Sequence, residues 1–188
     1  MTPDAFSDLV LAAVCAALAW RCLGVVEGRG GAGIACLLIG LAALLGVLRF
    51  STWEVVAAAV AGAHRFASLT AAVAGFPLLA FSLACPTSAL AHHARGAWWL
   101  AFVAGGFGIA AVALGARPWA QLAPAASALV IAWAVSRSEA GGRRWAGVAG
   151  VVFLGAGFAA SALLPIGATS PGSIAPAMSS KTQSLHYT

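Results

Sequence analysis

The sequence predicts an all-α protein whose helices cross a membrane, and three observations support that prediction. Of the 188 residues, 62% are hydrophobic and only 8% are charged, and the mean hydropathy is +0.96. A soluble domain carries about 25% charged residues, so this chain has too few charges to cover a surface that faces water. Lipid offers the backbone no hydrogen-bonding partner, so only helices or closed barrels cross it, and the continuous apolar runs favour helices.

Six apolar runs of about membrane length predict six membrane helices, separated by turns that contain Arg, Gly or Pro. We expect these helices near residues 6–26, 32–49, 68–85, 97–115, 119–136 and 145–164. Together they predict one transmembrane helical bundle over residues 1–166. Residues 167–188 are rich in Ser, Thr, Pro and Gly, which is typical of a flexible polar tail.

The first two helices are bounded by charged and glycine-rich segments. Residues 1–8 contain Asp4 and Asp8 but no basic residue, whereas a signal peptide begins with positive charge. We therefore interpret 6–26 as a retained membrane helix. The sequence EGRGGAG at 27–33 predicts a polar turn, and Arg49 ends the second helix.

The segment 53–85 has two interpretations. As a single helix it would be about 50 Å long, whereas the hydrocarbon core of a bilayer is about 30 Å thick, so we expect a break. Either a short interfacial helix at 53–66 precedes a membrane helix at 68–85, or a membrane helix at 53–75 turns at Gly75-Phe76-Pro77 into a short helix. The first arrangement gives six spans and the second gives seven.

The later helices begin beside aromatic residues or Pro. Trp98 and Trp99 open the helix at 97–115 as an aromatic belt at a membrane surface. Pro118 suits the first position of the following helix. The last helix, at 145–164, follows the polar loop 136–144 and stops at Pro165.

The basic residues predict topology rather than a nucleic-acid partner. The net charge is +5, but the nine arginines are scattered among the ends of apolar runs and do not cluster on one face. Lys-poor usage rich in Ala, Gly and Arg favours a bacterial protein, and hence the inner, cytoplasmic membrane. With six helices and the N-terminus outside, the cytoplasmic arginines are Arg29, Arg95, Arg137, Arg143 and Arg144.

Three histidines are candidate ligands for a haem or a single metal. His64 could bind from one helix together with His92 or His93 from another, since neutral imidazole is a common ligand. His92 and His93 are about 100° apart around a helix, so only one of them could point towards a shared site. The alternative is that all three form basic edges that meet lipid headgroups.

Ser88 and His92 are four residues apart, which places them on one face of a helix. This Ser-x3-His pair resembles one motif of the seven-span ceramidase and adiponectin-receptor group of membrane hydrolases. The resemblance implies a zinc-dependent lipid hydrolase in which the His helps to bind zinc. That group also has a His-x3-His pair on a late helix, whereas this chain has no His between His93 and His186.

Four further residues form a candidate polar site within the membrane: Glu54, Arg65, Ser88 and Arg95. Glu54 begins a helix, where a carboxylate stabilises the helix dipole, and it could instead be an ion partner of a nearby Arg. Because the predicted helices contain so few polar groups, our leading hypothesis is a non-catalytic membrane subunit or interaction protein. Its partners would be the lipid bilayer and other membrane protein subunits. The haem- or metal-binding protein and the hydrolase are the alternatives.

Overall fold

The computed structural model describes residues 2–116 and 118–137, and the regular structure within these residues is helical. Two short π-helical segments interrupt the α-helices: Arg21–Val25 follows the first helix, and Ala71–Gly75 joins the third to the fourth. The α-helices of the described residues, in chain order, are α1 Pro3–Trp20, α2 Gly30–Arg49, α3 Glu54–Thr70, α4 Phe76–Ala84, α5 Ala89–His92, α6 Ala94–Ala113 and α7 Trp119–Ser136.

Five helical runs in the described residues are long and apolar enough to cross a membrane. They are Pro3–Val25, Gly30–Arg49, Glu54–Ala84, Ala94–Ala113 and Trp119–Ser136. Each overlaps one of the first five predicted helices, so the prediction of an all-helical bundle with several long apolar helices is confirmed. The predicted helix at 145–164 and the predicted tail at 167–188 lie outside the described residues.

The expected break within 53–85 is wrong. α3, the π segment Ala71–Gly75 and α4 form one continuous helical run of 31 residues, which is about 46 Å long. Pro77 does not turn the chain because the wider π turn lies directly before it, where a proline ring would otherwise clash with an α-helical carbonyl. A helix longer than the hydrocarbon thickness can tilt or extend beyond it, and the length argument did not allow for this.

α2 is the central helix of the described bundle. It contacts α1, α3, α4 and α6. Half of the residues in its most apolar stretch are buried, compared with 11% in the helical run Pro3–Val25. Small residues let neighbouring helices approach closely: a Cβ at Gly31 would overlap the Ser82 hydroxyl of α4, and one at Gly75 would lie 3.2 Å from Ile39.

The buried core on the two sides of α2 consists mainly of small side chains. On one side, Cys15 of α1 and Cys36 of α2 pack with Ala67 of α3 and with Ala71, the first residue of the π segment. On the other side, residues of α2, α4, the π segment and α6 pack together: Ile34, Ala35, Ala74, Leu78, Ala97 and Ala101. Helix α7 packs on α4, so the five long helical runs form one connected bundle.

Candidate functional site

Asp8 of α1 and His64 of α3 converge on Gly46 of α2. A Cβ at Gly46 would overlap Oδ2 of Asp8 and would lie 3.3 Å from Cε1 of His64. The two titratable side chains therefore occupy the space that a larger residue at position 46 would fill. They also interact electrostatically. Glycine at this position allows a carboxylate and an imidazole from two different helices to come together beside the third.

His64 is placed by aromatic packing and carries an unsatisfied nitrogen. The ring of Phe50, just after α2, lies edge-on to the His64 ring with 5.7 Å between centroids. Nδ1 of His64 is buried and has no hydrogen-bond partner within the described part of the chain. A buried polar atom without a partner costs about 1–3 kcal/mol, so this nitrogen lowers the stability of the fold by that order.

A hydrogen bond connects the start of α1 with Phe50, the residue that follows α2. Thr2 precedes Pro3 at the first helical position, and its hydroxyl accepts the Ala5 N–H at 3.2 Å. The same hydroxyl donates to the Phe50 carbonyl at 2.8 Å. These two bonds tie the start of α1 to Phe50, whose ring contacts His64.

His92 and His93 lie at the other end of α2. Gly28 has a φ of 78°, a conformation that favours glycine, and a Cβ there would lie 2.6 Å from Nε2 of His92. A Cβ at Gly30, the first residue of α2, would likewise meet the backbone of His93. The two imidazole centroids are 4.9 Å apart. The histidine pair therefore packs on the turn that precedes α2.

The structure does not bring His64 together with His92 or His93. Gly30 and Gly46, which mark the two histidine sites, are about 24 Å apart along α2 at 1.5 Å per residue. A metal–nitrogen bond is about 2 Å long, so one haem iron or metal ion could not bind at both sites. Binding by His64, His92 or His93 separately stays a prediction.

The His92 end of the bundle contains a small cavity of about 320 Å³. Cys22 and Glu27 line it together with His92 and His93. Across residues 2–116 and 118–137, however, no three His, Cys, Asp or Glu side chains are close enough to hold a metal ion. The cavity is thus an open pocket with polar and apolar lining at this end of the bundle, and the described residues do not complete a metal-binding site.

The other predicted site residues are divided between the two ends. Glu54 begins α3 and is exposed, about 15 Å along the helix from His64, and the neighbouring Arg65 is exposed as well. At the opposite end, Ser88 precedes α5 and its carbonyl accepts the His92 N–H at 2.8 Å. Arg95 is exposed beside a groove lined by Trp98, Trp99 and Phe102. The structure does not gather these four residues into one polar site.

Asp8 was not predicted as a site residue, although the predicted helix at 6–26 contains it, because it was considered only as one of two acidic residues near the start of the chain. A signal was present in Thr2-Pro3, which is a typical N-cap followed by proline at the first helical position. Starting the helix at Pro3 instead of residue 6 places Asp8 in its second turn rather than in its first. The partner of Asp8 could not be found in this way, because that depends on how three helices pack.

The chain was compared with protein-family models, with curated protein sequences and with solved structures, and none of these three comparisons found a match.

Proposed function

We propose that the chain is an integral membrane protein that acts as a non-catalytic subunit or interaction protein of a larger membrane assembly. The observation that carries this proposal is the outward face of α6, which consists of large apolar side chains. Trp99, Phe102, Val103 and Phe107 are each at least 62% exposed. An apolar face of this size in a chain with 8% charged residues needs lipid or protein to cover it.

Membrane insertion is supported by the same property in other helices. Helix α1 exposes Phe6, Val10 and Val14, and Trp20 near its end is 77% exposed. Helices that are apolar on their outer faces are stable in hydrocarbon, which needs no polar coat. The composition of the chain suggests the inner membrane of a bacterium. Fractionation tests insertion: we expect the protein to stay with the membranes after an alkaline wash, and its release would overturn the proposal.

The assembly role is supported by an open groove between α2, α3 and α6. The groove has a volume of about 250 Å³, and its lining includes Phe66, Thr70, Phe102 and Gly106. No atom of the described residues lies within 4 Å of a Cβ placed at Gly106. A glycine beside aromatic ridges lets another helix approach closely, so this groove suits a helix of a partner subunit.

Blocking the groove tests the assembly. The protein is extracted from its native membranes in mild detergent, and the mass of the complex is measured by native mass spectrometry. We expect the wild type to be larger than one chain and Gly106→Leu to lose that partner. The matched control is Ala113→Leu, which introduces the same side chain at an exposed position of the same helix that does not line the groove. A monomeric wild type, or a Gly106→Leu variant with an unchanged complex, would overturn the assembly role.

The same preparation addresses the alternative functions that the histidines suggest. A visible absorption spectrum detects a haem, and elemental analysis detects a bound metal. Stoichiometric haem or metal that is lost in a His92→Gln variant would favour a cofactor protein over a non-catalytic subunit.

A further inference from the structure

The start of α6 carries a groove that combines one cation with aromatic rings, and the proposed assembly role does not use the cation. Arg95, Trp98, Trp99 and Phe102 line this groove, which has a volume of about 350 Å³. We infer that it binds one anionic phospholipid, with the lipid phosphate on Arg95 and an acyl chain along the rings. The inference rests on the membrane insertion proposed above and does not depend on the assembly role.

The order of residues along α6 matches a phospholipid from its headgroup inwards. Trp98 and Trp99 are three and four residues after Arg95, so they lie one turn further along the same face, and Phe102 lies about one turn beyond them. Arg95 and Phe102 are about 10 Å apart along the axis at 1.5 Å per residue. The groove therefore runs from a positive charge at the helix end to apolar rings nearer the middle.

The length of α6 places this groove at the edge of the membrane. The helix has 20 residues and is about 30 Å long, which equals the thickness of the hydrocarbon core, so each end of α6 lies near one membrane surface. Tryptophan rings favour the boundary between headgroups and hydrocarbon. Arg95, one turn closer to the helix end than the tryptophans, is then at the level of the phosphates, and Phe102 is at the level of the acyl chains.

The aromatic walls of the groove are accessible and pack on each other. The side chains of Trp98, Trp99 and Phe102 are each at least half exposed. The rings of Trp99 and Phe102 stand edge to face, with 6.4 Å between their centroids. This contact orients two of the walls, so the groove presents one continuous apolar surface to an acyl chain.

Charge complementarity favours an anionic lipid over a neutral one. Arg95 is exposed, and no carboxylate of residues 2–116 and 118–137 forms an ion pair with it. The start of α2 adjoins the start of α6, because a Cβ at Gly30 would meet the α6 backbone. Arg21 and Arg29, which precede α2, are both exposed, whereas Glu27 is the one acidic residue between them. This excess of positive charge, to which the N-terminal end of the α6 dipole adds, attracts anionic headgroups.

A lipid fits this groove better than a partner helix does. Membrane helices approach each other closely where both carry small residues. The lining here consists of large side chains, and the adjacent rings of Trp98 and Trp99 would hold a helix away from α6. Gly105 and Gly106, which admit a helix, line the neighbouring groove instead. A flexible acyl chain follows an uneven surface that a rigid helix cannot.

Native mass spectrometry of the full chain in detergent tests the inference, with phosphatidylglycerol and phosphatidylcholine of identical acyl chains as probes. We expect the wild type to bind one phosphatidylglycerol molecule more tightly than phosphatidylcholine. Arg95→Gln should lower this selectivity about fivefold, because one cationic side chain near an anionic surface contributes about that factor. Equal affinities of the wild type for the two lipids, or an unchanged selectivity in Arg95→Gln, would overturn the inference.

Arg137→Gln is the matched control for the charge. Arg137 is also exposed and lies 4.3 Å from the centre of the Trp133 ring, but it does not line the groove. This variant should keep the selectivity of the wild type. An equal loss in Arg95→Gln and Arg137→Gln would show a general effect of charge and would overturn the site.

The contact with the acyl chain is tested separately. Trp99→Ala removes one wall of this groove and leaves the groove at Gly106 unaltered, since Trp99 does not line the latter. It should weaken the binding of both lipids by a similar factor, whereas Trp133→Ala should not. Glycerophosphoglycerol, the headgroup without acyl chains, should not compete with the lipid. Unchanged affinities in Trp99→Ala, or competition by glycerophosphoglycerol, would overturn binding along the rings.

The results also separate the lipid site from the assembly role. Gly106→Leu should lose the partner subunit and keep the selectivity for phosphatidylglycerol. If Arg95→Gln instead loses the partner subunit and keeps its lipid selectivity, the groove binds protein and the inference is overturned. Loss of lipid selectivity from a wild type that stays in alkali-washed membranes would overturn the lipid site alone, whereas release from those membranes would overturn insertion and the lipid site together.

Discussion

Three glycines of α6 make it possible to measure how tightly α6 packs on the π segment Ala71–Gly75. A Cβ at Gly108 would lie 2.5 Å from Cβ and 2.7 Å from Cγ2 of Val73, closer than carbon atoms can approach. A Cβ at Gly105 would lie 3.4 Å from Cβ of Ala74, which is an ordinary contact. At Gly106 no described atom lies within 4 Å. The same substitution, Gly to Ala, therefore meets three different environments on one helix.

The expected free energies of unfolding follow from two effects. Alanine is favoured over glycine in a helix by up to about 1 kcal/mol, and this gain is common to all three sites. Forcing an extra methyl group into a packed core costs about 1–3 kcal/mol. Val73 is 2% exposed and β-branched, so it cannot easily rotate away. We expect Gly108→Ala to be about 1–3 kcal/mol less stable than Gly106→Ala, with Gly105→Ala close to Gly106→Ala, because the helix preference cancels in each difference.

The assay is reversible unfolding in mixed detergent micelles, followed by circular dichroism. Adding Val73→Ala to Gly108→Ala should recover part of the loss, with a coupling free energy of about 0.5–3 kcal/mol, because the two residues touch. If Gly108→Ala is as stable as Gly106→Ala, then α6 does not pack against the π segment as described, and the argument fails.

Two further predictions concern the ends of the bundle. In a bilayer, a maleimide should modify Cys85, which is exposed, before the buried Cys15 and Cys36, as measured by mass spectrometry of peptides; early labelling of Cys36 would contradict the packing of α2. Both Gly28→Ala and Gly115→Ala force alanine into a left-handed conformation, but only Gly28→Ala must also displace His92, so it should unfold at lower denaturant concentration. Equal losses of stability would show that His92 does not pack on this turn.

The helices were predictable where composition and local signals agreed. The run at 119–136 was predicted with the same bounds as α7, because Pro118 and Arg137 flank a continuous apolar segment. The first helix was placed three residues late because the Thr2-Pro3 signal was not used. This error is limited to one helix end, and it arose because the acidic residues near the start of the chain were considered and the N-cap signal was not.

The continuous run from Glu54 to Ala84 was harder to predict because its length conflicts with the bilayer thickness. A rule about average thickness cannot distinguish a broken helix from a tilted or extended one. The π segment that accommodates Pro77 also gives no periodic signal in a run of Ala, Val and Gly. What stabilises the continuous run is tertiary: Val73 and Ala74 of the π segment pack directly on Gly108 and Gly105 of α6.

The candidate site was predictable only in part, because its position depends on a glycine, which has no functional group in a side chain. His64 was chosen for its imidazole, whereas Asp8 was overlooked and Gly46 could not be distinguished from the other glycines of an Ala- and Gly-rich helix. Yet Gly46 decides which groups meet, since its missing side chain is the space they share. Before the other end of α2, Gly28 leaves space that the His92 ring fills, and Gly30 lets the backbone of His93 and Ala94 approach closely. Glycines in the central helix and in the turn before it therefore decide which side chains can approach, and a search of the sequence for reactive residues alone does not detect this.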